Sequence, residues 1–271
     1  MSTKVLTKHV AYLFLVVLFI IGFCSCNRNC TGNYKELKEC NDWEVKLLDE
    51  CTGNWKDNWM LDGLIATVEN SDLGMNFSAG PEHRNNAHHA VLWTKQSFKG
   101  DIKIEYDYTR TDSQLINVNI LYIQAQGIGE GPYDKDIAKW NKLREVPEMG
   151  IYYNYMNPIH ISYAAFPMEN NDPTKDYIRV RKYPVTKDRT FHQMEAEPSY
   201  YNMGLFLPNI TYKITVIKAN KKLYMQVVGD GKNKLYEWDM SDKEPSIEGR
   251  VGLRHMFTRS ARYKNFKVSV K

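Results

Sequence analysis

The stretch YKITVIKANKKLYMQVVGDGKNKLYEWD, residues 212–239, decides the fold of this chain. Its segments Tyr212–Lys218 and Lys222–Val228 switch between apolar and polar residues with a period of two. That period is typical of a β-strand with one buried face, because successive side chains of a strand point to opposite sides. Ala219-Asn220 and Gly229-Asp230-Gly231 separate the segments with residues that favour turns. The stretch therefore predicts short strands joined by tight turns.

The same pattern recurs on both sides of this stretch. We predict strands at Trp43–Leu48, Leu64–Glu69, His89–Thr94, Asp101–Thr109, Leu115–Gln124, Gly150–Tyr155, His160–Ala165, Tyr177–Lys182, Tyr212–Lys218, Lys222–Val228, Lys234–Asp239, Arg250–His255 and Tyr263–Val270. Many short strands with almost no helix indicate an all-β sandwich or jelly roll of two antiparallel sheets. One segment, Pro132–Glu145, is instead predicted to be a short amphipathic helix inside a long loop, and such loops are usually functional or disordered.

The first 26 residues have the pattern of a secretory signal. Lys4 and Lys8 precede the apolar run Ala11–Phe23, which ends in Cys24-Ser25-Cys26. The run has about 13 residues, whereas a membrane span needs roughly 20. A cysteine at the exit indicates a bacterial lipoprotein signal with Cys26 or Cys24 acylated. A plain cleaved signal with incidental cysteines is the alternative.

This pattern divides the chain into three parts. Residues 1–26 are the predicted lipoprotein signal, residues 27–42 a tether, and residues 43–271 one jelly-roll domain that is catalytic or binds sugar. We therefore expect an exported protein, lipid-anchored at the cell surface or at the periplasmic face of the outer membrane. Its ligand is then a molecule met outside the cytoplasm.

Composition excludes some partners and favours others. The chain has 36 Lys and Arg against 32 Asp and Glu, with no basic arm or long basic stripe, which argues against nucleic acid as the main partner. Its 18 Tyr and 6 Trp suit a protein that stacks sugars on aromatic faces, although β-sheets favour aromatic residues in any case.

The cysteines cluster near the N-terminus. If Cys26 carries lipid, Cys40 and Cys51 could form a disulfide in an exported protein. Their spacing lacks a zinc pattern, and no histidine lies near them in sequence. We expect neither a metal nor another cofactor.

Polar residues on predicted strands are the first candidates for a site. On Tyr177–Lys182, the side chains of Tyr177, Arg179 and Arg181 share one face, with the intervening apolar residues buried behind them. Leu115–Gln126 carries a polar row that includes Gln124, and Tyr153 lies on the predicted strand Gly150–Tyr155. Each row is either an ordinary exposed face or one wall of a sugar-binding groove.

Histidines are the second candidates, because imidazole titrates near neutrality and suits proton transfer. His88 and His89 lie in PEHRNNAHHAVLWT, residues 81–94, His160 begins a strand, and His255 follows Arg254. For any single histidine a structural role is the commoner one. His88 and His89 are adjacent, so on a strand they point to opposite faces and cannot both ligate one ion without a bend.

Carboxylates offer an alternative chemistry. Glu237-Trp-Asp239-Met-Ser-Asp242 roughly resembles the acidic strand motif of jelly-roll glucanases, but its last member is Asp and Ser241 breaks the apolar alternation. A glycoside hydrolase that uses Glu237 and Asp239 therefore stays an open alternative. The sequence contains no Gly-x-Ser-x-Gly elbow, phosphate loop or dinucleotide fingerprint.

The C-terminal stretch carries a family resemblance. Glu248–Val270, EGRVGLRHMFTRSARYKNFKVSV, resembles the final strands of concanavalin A-like jelly-roll domains, in which an ending like Ser260–Val268 is typical. With Asp62-Gly63, His88–Trp93 and Asp176–Arg181, residues 43–271 resemble the YesU-like family. That family lies beside bacterial genes for the use of uronic-acid polysaccharides such as rhamnogalacturonan and ulvan. Some jelly-roll relatives are polysaccharide lyases, and a uronyl dehydratase that acts on ulvan oligosaccharides is similar in genomic role.

The resemblance implies a carbon–oxygen lyase that performs β-elimination on uronic-acid oligosaccharides, with an acidic oligosaccharide as its partner. Removal of the C5 proton places charge on the uronate carboxylate, which Arg and Gln side chains stabilise. The residues expected to bind substrate are Arg179, Arg181, Gln124, His88, Arg254 and His255. The residues expected to transfer protons are His89, His160 and Tyr153.

Two questions stay open at this point. If the group that leaves C4 is a sugar, the enzyme is a lyase; if it is a hydroxyl on a terminal uronate, the enzyme is a dehydratase. The insert Pro132–Glu145 favours the dehydratase, since it could block one end of a groove. A non-catalytic, surface-anchored carbohydrate-binding lipoprotein is the alternative outside enzyme chemistry.

Overall fold

The computed structural model describes residues 32–271. The predicted signal, its acylated cysteine and the first residues of the predicted tether lie outside the described residues. Between residues 32 and 271, no helix is long and apolar enough to cross a membrane.

The two antiparallel sheets predicted from the sequence are confirmed. The eight-stranded sheet consists of β1 (Glu44–Asp49), β3 (Thr67–Ser71), β4 (Gly74–Ser78), β6 (Ile102–Arg110), β11 (Thr211–Ala219), β12 (Lys222–Gly229), β13 (Lys232–Asp239) and β15 (Ser260–Val270). Its order is β13-β12-β11-β6-β15-β4-β3, with β1 also paired to β15.

The seven-stranded sheet consists of β2 (Trp59–Asp62), β5 (Ala90–Lys99), β7 (Asn117–Ala125), β8 (Ile159–Phe166), β9 (Tyr177–Lys182), β10 (Glu195–Tyr201) and β14 (Glu248–His255). Its order is β10-β9-β8-β7-β14-β5-β2. The sheets pack face to face, and their inner faces supply an apolar core that includes Ile104 and Phe266 from one sheet and Leu121 and Leu253 from the other. The opposite, outer face of the seven-stranded sheet carries a second buried cluster.

Helical segments cover that outer face. The helix predicted at Pro132–Glu145 is present as a 3-10 helix, Ile137–Arg144, which is interrupted at Trp140 (φ −124°, ψ 29°). The strand predicted at Gly150–Tyr155 is wrong, because these residues lie in the α-helix α2, Met149–Tyr155. Tyr152 and Met156, four residues apart, are both buried against the sheet. Short runs of this kind fit a strand or a helix equally well by periodicity alone.

The predicted tether contains the helix α1, Tyr34–Glu39, which starts where the Asn33 side chain accepts hydrogen bonds from two backbone N–H groups. Tyr34 and Leu37 of α1 pack in a small cluster with residues of the eight-stranded sheet, so this part of the segment is attached to the domain. The expected Cys40–Cys51 disulfide is wrong: Cys51 is a buried free thiol, whereas Cys40 is in a disulfide. Further 3-10 helices are Trp55–Asp57, Asn86–His88 and His192–Met194.

Candidate functional site

The outer face of the seven-stranded sheet carries side chains in register from one edge to the other. Paired residues of neighbouring antiparallel strands lie on the same face. One row consists of Glu195, Arg181, His160, Tyr122, Gly252, Trp93 and Met60. Gly252 is required in this row because a Cβ there would lie 2.4 Å from Cζ3 of Trp93. The indole therefore lies across the backbone of β14.

A second row runs beside the first, one step of two residues along each strand. It consists of Arg179, Ser162, Ile120, Arg254, Val91 and Asp62. The two rows bring Arg179, Arg181, His160 and Arg254 to one face of one sheet. The sequence analysis named these four residues from three separate segments.

His160 lies between Arg181 and Tyr122 in the first row and is buried. Its Nδ1 is 2.5 Å from the Tyr183 hydroxyl and its Nε2 is 2.7 Å from Oγ of Ser162. Burial holds the pKa of His160 well below its usual range, and the cation of Arg181 lowers it further. The imidazole is therefore neutral at neutral pH, and its Nδ1 can accept a hydrogen bond from the Tyr183 hydroxyl.

Arg179 and Arg181 share a single carboxylate. Glu195 lies 2.9 Å from Nε of Arg179 and 3.3 Å from Nη2 of Arg181, and the Ser199 hydroxyl donates to it over 2.5 Å. The Arg181 guanidinium also lies 4.5 Å from the centre of the Phe191 ring. Two guanidinium groups with one carboxylate leave this end of the sheet positively charged.

The Arg179 end of the rows opens to solvent. A cavity of about 430 Å³ is lined there by Pro167, Lys175, Tyr177, Arg179, Tyr201 and Asn202, and we call it the arginine groove. The guanidinium lies 4.8 Å from the ring centre of Tyr177 and donates to the Tyr201 hydroxyl over 2.9 Å. Tyr201 is 56% exposed. Exposed aromatic rings beside cations suit a ligand with both apolar faces and acidic groups.

Arg254 and His89 are directly bonded at the other end of the second row. Nη2 of Arg254 donates to Nδ1 of His89 over 2.9 Å and to the Pro147 carbonyl over 2.6 Å. Nδ1 of His89 also lies 3.3 Å from the Pro147 carbonyl oxygen, but arginine only donates, so Nδ1 accepts from Arg254 at the shorter distance and the imidazole proton is assigned to Nε2. Burial, assisted by the Arg254 cation, lowers the pKa of His89 to about 3. The His89 lone pair is therefore occupied, which suits this ring to donation rather than to proton abstraction.

Tyr153, the third residue expected to transfer protons, projects from α2 and is half-buried. Its ring packs 5.1 Å from that of Phe191 and 6.4 Å from that of Tyr183, measured between ring centres. It thus lies beside the Arg181 end of the first row.

Three expected substrate-binding residues lie away from the two rows. Nε2 of Gln124 donates to the Phe98 and Gly100 carbonyls, which uses this side chain to hold neighbouring loops. His255 points into the core between the sheets, where Nε2 lies 2.8 Å from the Tyr263 hydroxyl. His88 accepts a hydrogen bond from the Glu82 backbone N–H in a surface turn. Since Arg254 and His255 are consecutive on β14, only one of them can reach the outer face.

Asp62 ties the helical cover to the sheet. Its carboxylate accepts from Arg144 Nε at 2.6 Å, Trp93 Nε1 at 2.7 Å, Tyr152 hydroxyl at 2.9 Å and Asn141 Nδ2 at 2.6 Å. The bonds from Arg144, Tyr152 and Asn141 join β2 to the segment 137–155, and the bond from Trp93 joins β5 to β2. The side chains of Asp62 and Arg144 are completely buried, so this pair is a structural anchor.

The sequence analysis missed Ser162, Tyr183, Glu195 and Tyr201. Ser162 follows His160 by two residues on the same strand, so the period of two was a usable signal for it. Tyr183 follows the end of β9, and Glu195 and Tyr201 belong to β10, a strand that the sequence did not predict.

The glycosidase candidates are placed differently. Glu237 and Asp239 lie on β13, the edge strand of the eight-stranded sheet, and both pair with Lys222 at 3.4 Å and 3.3 Å. Hydrogen bonds from Ser241, aided by Lys222, lower the pKa of Asp239 to about 2, so it stays ionised. Within residues 32–271, no group of three or more His, Cys, Asp or Glu side chains could hold a metal ion.

A family model, described as the domain of unknown function DUF1961, matches residues 51–268 of this chain. This match spans both sheets and both rows of the candidate site. The chain belongs to the DUF1961 family. No curated protein matches it significantly.

Solved structures show what this DUF1961 domain resembles in fold. A Bacillus subtilis protein of unknown function with a galectin-like fold superposes with a TM-score of 0.63 at 17% identity, over 84% of this chain and 99% of that one. The exoplasmic/lumenal domain of VIP36, bound to Ca²⁺ and Man3GlcNAc, gives 0.51 at 11% identity, over 82% and 90%. The lectin UEA-II, complexed with galactose, gives 0.52 at 8% identity, over 84% and 100%. The DUF1961 chain therefore has a galectin-like and legume-lectin-like jelly-roll fold.

Proposed function

We propose that this protein binds an acidic oligosaccharide in the arginine groove and performs β-elimination on a uronate held there. The observation that carries the proposal is the register of Arg179, Arg181 and His160 on one face, open to solvent at the Arg179 end. Carbohydrate as the ligand class is supported by the fold, since VIP36 and UEA-II share it and their structures contain Man3GlcNAc and galactose.

The charge of the groove selects an acidic sugar. Arg179 and Arg181 share only Glu195, and Lys175 adds a further cation to the lining. Charge-assisted hydrogen bonds from guanidinium to carboxylate are stronger than neutral ones, and they strengthen as charge develops on the uronate during proton removal. The rings of Tyr177 and Tyr201 provide apolar faces for the sugar.

The elimination uses the Tyr183–His160 pair. The C5–H bond breaks and its proton passes to the Tyr183 oxygen, while Tyr183 transfers its own proton to His160. The bound uronate carboxylate favours this transfer, because it offsets the Arg181 cation that lowers the pKa of His160. The electron pair of the C5–H bond forms the C4=C5 double bond, and the C4–O bond breaks with its pair on the leaving oxygen. Tyr153, which is half-buried with its ring centre 6.4 Å from that of Tyr183, is assigned to protonate that oxygen. His160 and Tyr183 are buried, so segment 183–194 or α2 must move for the sugar to reach them.

The test is to mix the purified protein with uronate oligosaccharides and follow the ultraviolet absorbance of the unsaturated uronate. We expect absorbance to rise with the wild type, Tyr183→Phe to abolish the rise, and Glu237→Gln to leave it unchanged as the matched control. No absorbance on any uronate overturns elimination. New reducing ends without absorbance, lost in Glu237→Gln, would instead support the glycoside hydrolase.

Product length separates the two kinds of elimination. We assign dehydration at a non-reducing-end uronate, because the insert 132–145 could block one end of a groove and so favour a chain end. Absorbance with unchanged oligosaccharide mass, apart from loss of one water, agrees with dehydration. Absorbance with shorter chains identifies a polysaccharide lyase.

A second candidate is capture of acidic oligosaccharides without turnover. It is favoured by one observation: Arg179 is accessible from solvent, whereas His160 and Tyr183 are completely or almost completely buried. It predicts saturable binding that Arg179→Ala weakens and Tyr183→Phe leaves intact, with no absorbing product.

Export and lipid anchoring through Cys26 or Cys24 belong to the same proposal, as does the closer relation to YesU-like proteins. Polysaccharide fragments occur outside the cytoplasm, and a lipoprotein signal would export the protein to the same place. The proposed ligand and the proposed location are therefore consistent. Metabolic labelling with a fatty acid should label the wild type and fail to label Cys26→Ser if Cys26 is the acylated residue.

A further inference from the structure

Arg254 is a buried cation whose charge is not matched by a carboxylate. It is 0% exposed, and its only described hydrogen bonds go from Nη2 to His89 and to the Pro147 carbonyl. Its Nε and Nη1 have no hydrogen-bond partner among residues 32–271. Its guanidinium also lies 4.4 Å from the ring centre of Tyr152. Burial of an arginine without a paired anion is strongly unfavourable.

A second buried donor lies beside this guanidinium. The Tyr122 hydroxyl is buried, lacks a well-aligned hydrogen-bond partner in the described part of the chain, and lies close enough to Arg254 for the two side chains to interact. Tyr122 lies on β7, next to β14, and the Arg254 cation opposes the rise that burial causes in the Tyr122 pKa. Nε2 of His89 is also buried and unpartnered, but it points away from the guanidinium, because Nδ1 of the same ring faces Arg254. The cluster therefore presents N–H and O–H donors in excess of acceptors.

The nearest carboxylate does not supply the missing charge. Asp62 is linked to this cluster through Tyr152, which donates to it over 2.9 Å while stacking against Arg254. Asp62 already pairs with Arg144 and accepts from three further groups. Arg144, Arg254 and Asp62 together therefore carry a net charge of one positive unit.

We propose that Arg254 and Tyr122 form a buried binding site for a monoanion, and that the anion is a carboxylate. A carboxylate presents two oxygens with several lone pairs, which suits three separate donors better than a single neutral acceptor does. The site itself does not depend on elimination. Its assignment to the carboxylate of a uronic acid does rest on the proposed function.

The buried site is separate from the arginine groove. Arg179 and Arg254 occupy the second row on β9 and β14, three strand spacings apart, or roughly 14 Å between backbones. Arg179 is paired with Glu195, whereas Arg254 has no carboxylate partner in residues 32–271. Loss of one of these arginines should therefore leave anion binding at the other intact.

The experiment measures thermal unfolding of the full protein during titration with sodium acetate or sodium glucuronate, with glucose as the neutral control. A ligand that binds only the folded state raises the melting temperature in a saturable way. We expect this rise in the wild type and in Arg179→Ala. In Tyr122→Phe we expect half-saturation at about tenfold higher acetate, which is the effect of one lost hydrogen bond to a charged group. Arg254→Met should lose the part of the rise that Arg179→Ala retains, and the double variant Arg179→Ala/Arg254→Met should show no saturable rise.

Tyr122→Phe keeps the ring and removes only the hydroxyl, so it remains informative even if Arg254→Met fails to fold. Without added anion it should be at least as stable as the wild type, because it removes an unsatisfied buried group. An equal response of wild type and Tyr122→Phe to acetate, or no response of the wild type, overturns the site. A stronger response to chloride than to acetate overturns the carboxylate assignment. A response to acetate without one to glucuronate overturns the assignment of the bound carboxylate to a uronic acid. Failure of the absorbance assay alone contradicts the proposed elimination but not the anion site.

Discussion

The outer faces of the two sheets are built from the same strand pattern but differ in how they treat charge. On the eight-stranded sheet, acidic and basic residues meet across neighbouring strands and face solvent, as in Glu105–Lys267 at 2.7 Å and Asp107–Lys213 at 3.8 Å. On the seven-stranded sheet, helical segments cover the face, and arginines such as Arg254 are buried without a matching carboxylate in the described chain. The paired charges on the eight-stranded sheet are stable without a ligand. A buried, unpaired arginine on the seven-stranded sheet destabilises the fold unless a bound anion neutralises it.

The cover itself explains how the second face tolerates buried polar groups. Asp62 receives four donors and fixes the segment 137–155 over the sheet, which places Tyr152 and Tyr153 beside the rows. A fully paired buried ion pair is tolerated, and removal of one partner is severe because it leaves the other charge unpaired. The contrast between the faces can therefore be tested by single substitutions on each.

The largest expected effect is on stability at the anchor. Asp62→Asn keeps the shape of the side chain but leaves Arg144 buried without its carboxylate, so the free energy of unfolding should fall by about 3–5 kcal/mol. Urea denaturation measures this change. The matched control on the other sheet, Glu105→Gln, removes a partly exposed pair and should cost less than about 1 kcal/mol. Equal losses in the two variants would contradict the contrast.

The next effect is on ligand affinity. Arg179→Ala removes a guanidinium from the arginine groove, and a hydrogen bond to a charged group is worth about 1.5–3 kcal/mol. Affinity for an acidic oligosaccharide should fall about 10–100-fold by calorimetric titration. Lys213→Ala removes a cation from the opposite face and should leave affinity unchanged. A similar loss in both variants would show that net charge, rather than the groove, attracts the ligand.

A smaller, pH-dependent effect comes from the buried histidines. Burial lowers the pKa of His89 and of His255 to about 3 in the folded protein. The unfolded chain binds these protons from about pH 6.5 downward, so each histidine stabilises the fold fully above that pH and less as the pH falls. The loss is about 1.4 kcal/mol per pH unit for each group. His160 acts in the same direction.

Comparison of one variant with the wild type checks this slope. Between about pH 4 and 6, His255→Gln should reduce the slope of unfolding free energy against pH by about 1.4 kcal/mol per unit, whatever its effect on absolute stability. The wild type, measured over the same pH range, supplies the reference slope. An unchanged slope in His255→Gln would mean that His255 is protonated in the folded state.

The smallest effect is expected at the edge of the eight-stranded sheet. Glu237 pairs with Lys222 in solvent, and exposed pairs of this kind contribute little to stability. Glu237→Gln should leave the free energy of unfolding nearly unchanged and oligosaccharide binding intact. Loss of binding in this variant would transfer the site to the other sheet.

The fold was predictable because a strand with one buried face shows an alternation of apolar and polar residues that can be read from the sequence. Tyr212–Lys218 and Lys222–Val228 are strands in the structure, with ends within one or two residues of the prediction. By contrast, β10 was missed, since EAEPSYY contains a proline and several polar residues and lies at a partly exposed sheet edge. The segment 150–155 was assigned to the wrong element because its aromatic pattern fits both periods.

The candidate site was predictable only where strand periodicity holds. Arg179 and Arg181 share a face because they are two residues apart on a regular strand. Gln124 departs from its predicted row because its backbone adopts a positive φ of 52°, which no residue pattern in the sequence signals. Tyr183 joins His160 through the fold rather than through sequence spacing, 23 residues away. Contacts of this kind depend on strand order, which alternation alone does not specify.

The most direct test of the account is the structure of the protein with a bound acidic oligosaccharide. We expect the sugar to lie on the outer face of the seven-stranded sheet, with an acidic group within hydrogen-bond distance of Arg179 or Arg181 and a ring against Tyr177 or Tyr201. A sugar bound instead on the eight-stranded sheet beside Glu237 and Lys222, with the arginine groove unchanged, would contradict it.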